Sequence, residues 1–184
     1  MHLKGALHVH TTCSDGELKI EEVVQIYSSL GFDFIALTDH DYLLNSKKNC
    51  YDSINKIQSD LIIFKGIELT VYERGYVHVN KIYGDKEILH IFNHPSELYL
   101  PIEKVIDRIK SISLQYPIDA VEITTRGYPQ REYDIPEISY PKVATDDSHT
   151  KHGCGVAWIE MDCHRNKDAI IKAIKNGNFW NCYA

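Results

Sequence analysis

The chain has 184 residues, 43% of them hydrophobic and 25% charged, with a formal net charge of −6. This length suits one well-buried core and this composition excludes intrinsic disorder, so a single compact domain over residues 1–184 is expected. No apolar run approaches the ~18 residues that cross a bilayer, no secretory signal opens the chain, and the negative balance gives no general pull toward nucleic acid or anionic lipid, which predicts a cytoplasmic protein with no membrane partner.

Residues 4–10 predict a short strand, followed by a helix over 17–30 that stops at Gly31. A second strand over 32–38, a helix over about 46–58 and a third strand over 61–69 continue the alternation. Strands over 76–84 and 86–93 join at Gly84-Asp85, and a helix beginning near Pro101 carries Ile102, Val105, Ile106 and Ile109. Later strands are expected at 120–124, 142–145 and 156–161, then a helix over 166–175 ended by Gly177 and a closing strand over 179–183. Such an order describes an α/β protein with a largely parallel sheet, either doubly wound or closed as a barrel. The cysteines (Cys13, Cys50, Cys154, Cys163, Cys182) are odd in number and lack C-x-x-C spacing, which predicts buried thiols rather than a disulfide framework or a zinc knuckle.

Polar residues end the apolar strands. His8 and His10 stand two apart at the end of the first strand, so both imidazoles project from one face while Leu7 and Val9 face the other. An isolated H-x-H at a strand end also arises by chance, but Asp15 follows in Thr11-Thr-Cys-Ser-Asp-Gly, and the second strand ends in Thr38-Asp39-His40-Asp41. Glu68 finishes the run Leu61-Ile-Ile-Phe, where an ionised carboxylate is costly to bury without a cation. The pattern returns at His78, at Asn93-His94-Pro95, at Glu122 and at Asp146-Asp147-Ser148-His149. Carboxyl ends of parallel strands are where α/β sites lie, and this set of hard oxygens and imidazoles suits divalent metal. Each residue alone could be a satisfied core group or a cap, Asp39 and Ser148 especially, and His78 in Val77-His-Val79 could be an ordinary strand histidine.

The series resembles the polymerase and histidinol phosphatase (PHP) domain superfamily over nearly the whole chain. The motifs are H-x-H at His8 and His10 with Ser14-Asp15-Gly16 behind, T-D-H ending at His40, G-x-E ending at Glu68, H-P at His94, and D-x-H at Asp147 and His149. The resemblance implies a distorted (β/α)7 barrel with up to three divalent ions (zinc, manganese or iron) at its mouth. It groups His8, His10, Glu68 and Asp147 on one ion, and Asp15, His40 and His94 on a second. A third would lie with Glu68, His78 and His149. Glu68, Asp147 and His149 would then be the catalytic centre, with Glu68 bridging two ions, since only a carboxylate here offers an oxygen to each. Asp147 is chosen over Asp146 because an extended D-x-H places it on the face of His149. Asp39 and Glu122 would support the ligands from behind, and Asp146 at most does so. His90 reads as structural; His2, His152 and His164 read as solvated or capping, with only His152 near enough to touch a substrate.

Two cations sharing a water lower its pKa from ~15.7 toward ~7, which supplies a hydroxide nucleophile and a clamp for phosphoryl oxygens. The chain has no G-x-S-x-G elbow, no Walker loop and no duplex-DNA-binding motif, and Cys13 and Ser14 read as a turn rather than nucleophiles. Arg126 is the leading phosphate-binding candidate, followed by Lys151, with Arg74 and Arg131 behind them. The expected reaction is hydrolysis of a phosphoester in a small phosphorylated metabolite, a nucleotide or a short oligonucleotide. Two rival readings remain: an amidohydrolase-like cleavage of C–N or lactone bonds by the same chemistry, or a non-catalytic metal-bound module whose contact surface includes Tyr128, Tyr133 and Tyr140.

Overall fold

In the computed structural model, which describes residues 1–44 and 50–184, the first strand pairs with the second on one side and with a late strand of the chain on the other. It is β1 (His2–Val9), followed by α1 (Ile20–Ser29), β2 (Phe34–Leu37), the single turn α2 (Asp41–Leu44) and β3 (Ile62–Tyr72). Then come β4 (Tyr76–Tyr83), β5 (Ile88–Phe92), α3 (Ile102–Ile112) and β6 (Ala120–Glu122), and the small hairpin of β7 (Thr124–Thr125) and β8 (Tyr128–Pro129). The chain ends with β9 (Lys142–Val143), β10 (Ala157–Asp162), α4 (Lys167–Lys175) and β11 (Trp180–Tyr183). Of the helix expected over 46–58, residues 46–49 lie outside the described residues and Cys50–Lys56 forms a 3₁₀ helix instead.

One sheet holds nine strands in the order β11-β10-β1-β2-β3-β4-β5-β6-β9, and it curls into a nearly closed barrel. The bridge between Val9 and Ser148 closes it at the mouth, where His10 N donates to Ser148 O at 2.9 Å. Lower on the same seam β10 pairs with β1, and the Asn181 side chain on β11 reaches β9, accepting from Ala144 N at 2.7 Å and donating to Lys142 O at 2.9 Å. The barrel expected from the resemblance is therefore present, but the sheet is mixed rather than largely parallel. β3/β4, β4/β5, β1/β10 and β10/β11 are antiparallel. The cause is local for the first two: Glu73-Arg74-Gly75 and the residues around Gly84 are too few for the crossover that a parallel neighbour needs.

The interior core draws side chains from many staves, among them Leu3, Leu7, Phe34, Phe64, Ile82, Leu89, Ile91 and Val143, and α4 packs Ile170, Ile171 and Ile174 against the same cluster. α1 buries Ile20, Val23, Val24 and Tyr27, the i, i+3, i+4, i+7 stripe, against the outer faces of β1 and β2. It starts later than the predicted residue 17, since the backbone is still extended at Lys19 (ψ 159°), and Glu22 Oε2 accepts from Lys19 N at 2.8 Å to secure the first turn. A register shift between Ala6 and Val9 alters the strict alternation expected of β1. Leu7 joins the interior cluster directly beneath His8, while Val9 packs outward against the α1 layer. No helix among the described residues is long and apolar enough to cross a membrane.

Candidate metal centre

The mouth of the barrel gathers the strand-terminal polar residues into one buried cluster. His8, His10, Glu68, His40, His94 and Asp147 are all buried, whereas His78 and His149 are partly exposed and Asp15 is the most open, with 41% of its side chain accessible. Gly16 lets the chain after β1 fold back tightly enough to deliver Asp15, since a Cβ there would stand 2.7 Å from the His10 carbonyl carbon. Two of the cluster residues have left-handed backbones, His94 at φ 22° and Asp147 at φ 44°. Such conformations are uncommon outside glycine and collect at functional sites.

Four acceptor-bearing side chains converge at the centre. His8 Nε2 and His10 Nε2 are 3.1 Å apart; His8 Nε2 is 3.3 Å from Glu68 Oε1 and 3.3 Å from Asp147 Oδ1; His10 Nε2 is 3.3 Å from Glu68 Oε2 and 3.4 Å from Asp147 Oδ1. In a tetrahedral site with bonds of about 2.0–2.1 Å, neighbouring ligand atoms stand about 3.3 Å apart. The spacing of His8, His10 and Glu68 therefore fits a cation held between them, with Asp147 within reach of the same two imidazoles. The two imidazoles face one another nitrogen to nitrogen, and their far nitrogens lie near carboxylates, His8 Nδ1 at 3.5 Å from Glu122 Oε1 and His10 Nδ1 at 3.5 Å from Asp15 Oδ1. A proton on each far nitrogen leaves the inner lone pair free for metal.

Glu68 touches three more imidazoles: His40 Nδ1 at 3.0 Å from Oε2, and His78 Nδ1 and His94 Nε2 each at 3.2 Å from Oε1. His40 Nδ1 is buried beside Glu68, which leaves Nε2 as the nitrogen turned toward Asp15. On the solvent side, Asp15 lies 3.5 Å from both His40 Nε2 and His149 Nε2, and the His149 ring stacks on His10 at 4.0 Å. The resemblance implied His94 beside Asp15 and His40, with His149 beside Glu68 and His78. In the structure His149 lies beside Asp15 and His40, while His94 lies beside Glu68 and within reach of His8 and Asp147.

The electrostatics agree with a site built for positive charge. Burial alone would lower the His8, His10 and His94 pKa values, but the surrounding carboxylates prevail, holding His8 well above the ordinary imidazole value, His10 at about 10 and His94 at about 9. Glu68 and Asp147 are held well below the carboxylate range by these imidazoles despite their burial, and Asp15 is lowered by its contact with His10. Burial and the neighbouring His10 push His149 down.

A second layer fixes these groups. Asp39 accepts from Thr11 N at 2.8 Å, Ser14 Oγ at 2.6 Å and Tyr51 Oη at 2.8 Å. Glu122 accepts from His94 N at 2.7 Å and from Thr145 Oγ1. Asp146 turns away, accepting from Tyr27 Oη at 2.6 Å and Gly155 N at 2.8 Å, and its burial raises its pKa to about 7. The choice of Asp147 over Asp146 thus agrees with the side-chain directions, although the backbone at Asp147 is left-handed rather than extended. The sequence reading assigned no role to Asn93, whose Nδ2 donates to Glu68 Oε1 at 2.8 Å, or to Glu97, 3.3 Å from His94 Nδ1. Their adjacency to His94, at one and three residues, was the available signal.

Beside Asp147 and His149 opens a cavity of about 610 Å³ whose lining includes Arg126, Tyr128, His152 and Tyr183. Arg126 sits at φ 48° on the tip of the β7–β8 hairpin. Lys151 is not brought there: it lines a separate surface groove with Leu18, Glu22 and Ile26. The Cys13 and Cys50 side chains, expected as thiols, form a disulfide because the mouth loop and the 3₁₀ helix return to the same place. Cys154, Cys163 and Cys182 are free.

A family model described as the PHP domain matches residues 6–146. The DNA polymerase/3'-5' exonuclease PolX of Bacillus subtilis is 31% identical over 84 residues, covering 40% of this chain and 15% of PolX. A two-domain protein from Bacteroides vulgatus containing a predicted PHP-like metal-dependent phosphoesterase superposes with a TM-score of 0.72 at 17% identity, over all of this chain and 65% of that one. An amidohydrolase from Chromobacterium violaceum matches with a TM-score of 0.62 at 12% identity, over 79% of this chain and 87% of that one. The chain thus spans under two thirds of the length of the first two, and the last two likenesses concern the fold.

Proposed function

The chain belongs to the PHP domain family, and from that premise we propose that it is a metal-dependent phosphoesterase acting on a phosphomonoester, a nucleotide or a short oligonucleotide. The observation that carries the reading is the set of contacts around Glu68, whose carboxylate lies 3.0–3.3 Å from nitrogens of five histidines. In this reading His8, His10, Glu68 and Asp147 hold one ion, Glu68 with His78 and His94 holds a second, and Asp15, His40 and His149 hold a third. Zinc, manganese and iron all suit mixed imidazole and carboxylate ligation. Such ions, when bound, polarise a phosphoryl oxygen and activate water at neutral pH.

The protein's own groups supply the rest. Glu68 belongs both to the central group with His8 and His10 and to the inner group with His78 and His94. Asp147 and His149 border the 610 Å³ cavity, so an ester presented to the centre has room there for its organic part. Arg126 lines the same space and offers two parallel donors to phosphate oxygens, a geometry that lysine lacks. His152 lines that space as well.

The test is metal analysis of the purified protein combined with a panel of nucleotides, sugar phosphates, cyclic diesters and short oligonucleotides. Metal-dependent phosphate release that Glu68→Gln abolishes, with the fold intact, is the expected result. Turnover of amides or lactones but of no phosphoester would overturn the reading in favour of C–N or lactone hydrolysis, and inertness of the fully loaded protein on every ester would favour a binding module.

A further inference from the structure

Cys13 and Cys50, 37 positions apart in sequence, are joined with their Cα atoms 5.8 Å apart. Both ends of this bridge lead to the metal centre. Cys13 belongs to the turn that presents Asp15: its N donates to Thr11 Oγ1 at 3.0 Å, and Ser14 N and Gly16 N both donate to Thr11 O at 3.0 Å. Cys50 opens the 3₁₀ helix, and the next residue is Tyr51, whose hydroxyl donates to Asp39 Oδ2 at 2.8 Å. Asp39 is fully buried, and the same carboxylate holds Thr11 and Ser14 from the mouth turn. Its backbone oxygen accepts from Glu68 N at 3.1 Å, and His40 follows it.

The segment closed by the bridge therefore contains Asp15, Asp39 and His40. The outer candidate ligand group, Asp15 with His40 and His149, differs from the central one in its support. His8 and Glu68 are carried on strands of the barrel and are fully or almost fully buried, whereas Asp15 rides on a turn and is 41% exposed. A turn owes its geometry to whatever ties it down; here backbone bonds from Thr12 N to Leu18 O and from Glu17 N to His149 O hold its base, and the Asp39 network and the disulfide hold its tip.

We propose that the Cys13–Cys50 pair is a redox modification site that sets the metal affinity of the Asp15–His40–His149 group, with Tyr51 as the positioning residue through which it acts. The proposal rests on the metal reading above but on no particular substrate. The reaction is thiol–disulfide exchange with a dithiol reductant. One reductant thiolate attacks Sγ of Cys50, which is half-buried while Cys13 is fully buried; the S–S bond breaks and Cys13 leaves as a thiolate that takes a proton. The second reductant thiol then displaces Cys50, so two electrons and two protons pass to the protein and the reductant becomes a disulfide. In the reduced protein Tyr51 is no longer anchored through its neighbour, Asp39 holds the mouth turn less firmly, and Asp15 loses its fixed position. His8 and Glu68 keep their strands.

The experiment compares the manganese-loaded 184-residue chain, purified in air, before and after treatment with a dithiol and anaerobic desalting. Alkylation in denaturant counts thiols and elemental analysis counts manganese per chain. Three free thiols are expected before reduction and five after, with one ion weakened about 10–100-fold while the others remain. Reoxidation should restore it. Cys50→Ser and Tyr51→Phe should lose the same ion without a redox response. Five thiols in the air-purified protein, equal manganese affinity in the two redox states, or loss of all ions together would each overturn the proposal. A protein that shows the redox-dependent ion yet hydrolyses no phosphoester would remove the function proposed above and leave this inference standing.

Discussion

Glu122 stands behind His8. Its Oε1 lies 3.5 Å from His8 Nδ1, while the opposite nitrogen, Nε2, faces Glu68 and Asp147 at 3.3 Å each. The other oxygen, Oε2, accepts from the backbone N of His94 at 2.7 Å, so one buried carboxylate orients candidate ligands that arrive from two distant strands. A carboxylate behind a ligating imidazole fixes the tautomer and raises the basicity of the inner nitrogen. Glu122→Gln keeps the shape but removes the charge. Metal affinity is expected to fall about 10–100-fold, measured by competition with a chelator. Unchanged affinity would show that Glu122 serves only the backbone of His94.

Glu68→Gln makes a sharper demand. The amide nitrogen cannot ligate, and it would point a donor at imidazole nitrogens that the carboxylate now faces, so the central and inner groups should both lose affinity. Elemental analysis should show the loss of at least one ion per chain relative to the parent. The Asp146→Asn change is the matched control on the neighbouring carboxylate, whose contacts are Tyr27 and Gly155 rather than the cluster. It should retain its metal; loss of metal there equal to that in Glu68→Gln would contradict the side-chain directions described above.

Much of this cluster was legible in the sequence because a polar residue that ends an apolar run is conspicuous whatever surrounds it. Glu68 after Ile62, Ile63 and Phe64 is the plainest case, and the strands themselves were legible for the same reason. The grouping of the ligands was not. Whether His94 or His149 reaches Asp15 depends on left-handed turns at His94 and Asp147, which strand periodicity does not encode. The mixed sheet escaped because antiparallel and parallel strands share one alternation, and only loop length separates them. The Cys13–Cys50 bridge depends on where the chain returns after β2, a tertiary fact without a local signature.

The protonation of the cluster predicts how the metal-free protein responds to pH. His10 and His94, raised to about 10 and about 9, contribute stability that is fully present below the ordinary imidazole pKa of ~6.5 and is lost as pH rises through 9 to 10. Glu68 and Asp147 are depressed, so their contribution is present above ~4 and lost as pH falls through their folded values. Buried Asp146, raised to about 7, costs further stability as pH rises from ~4 to 7, so chelated protein should already be losing melting temperature at pH 6 and lose more toward pH 10. Metal replaces the protons, so loading should release protons and flatten the alkaline side. Thermal melts with and without chelator at pH 6 and pH 9.5 decide the matter, and an identical alkaline loss in the loaded protein would sink the argument.

Arg126 tests the substrate end of the site. It occupies the first of two left-handed positions at the β7–β8 tip, with φ 48°, and Gly127 follows at φ 83°. Asparagine is the residue that two-residue hairpins favour at such a position, because its short polar side chain hydrogen-bonds locally and offsets the ~1 kcal/mol that other residues with a Cβ lose there. Arg126→Asn therefore removes the guanidinium while relaxing the backbone, and the hairpin should be as stable as before or slightly more so. If Arg126 holds phosphate, the variant should raise KM for a phosphoester by about tenfold or more, the loss of a charge-assisted pair of hydrogen bonds, with metal content unchanged. The melting temperature separates this from a structural effect. A variant that melts no lower and keeps its KM would show that the strained arginine is not the phosphate contact, and would move that role to His152 across the same cavity.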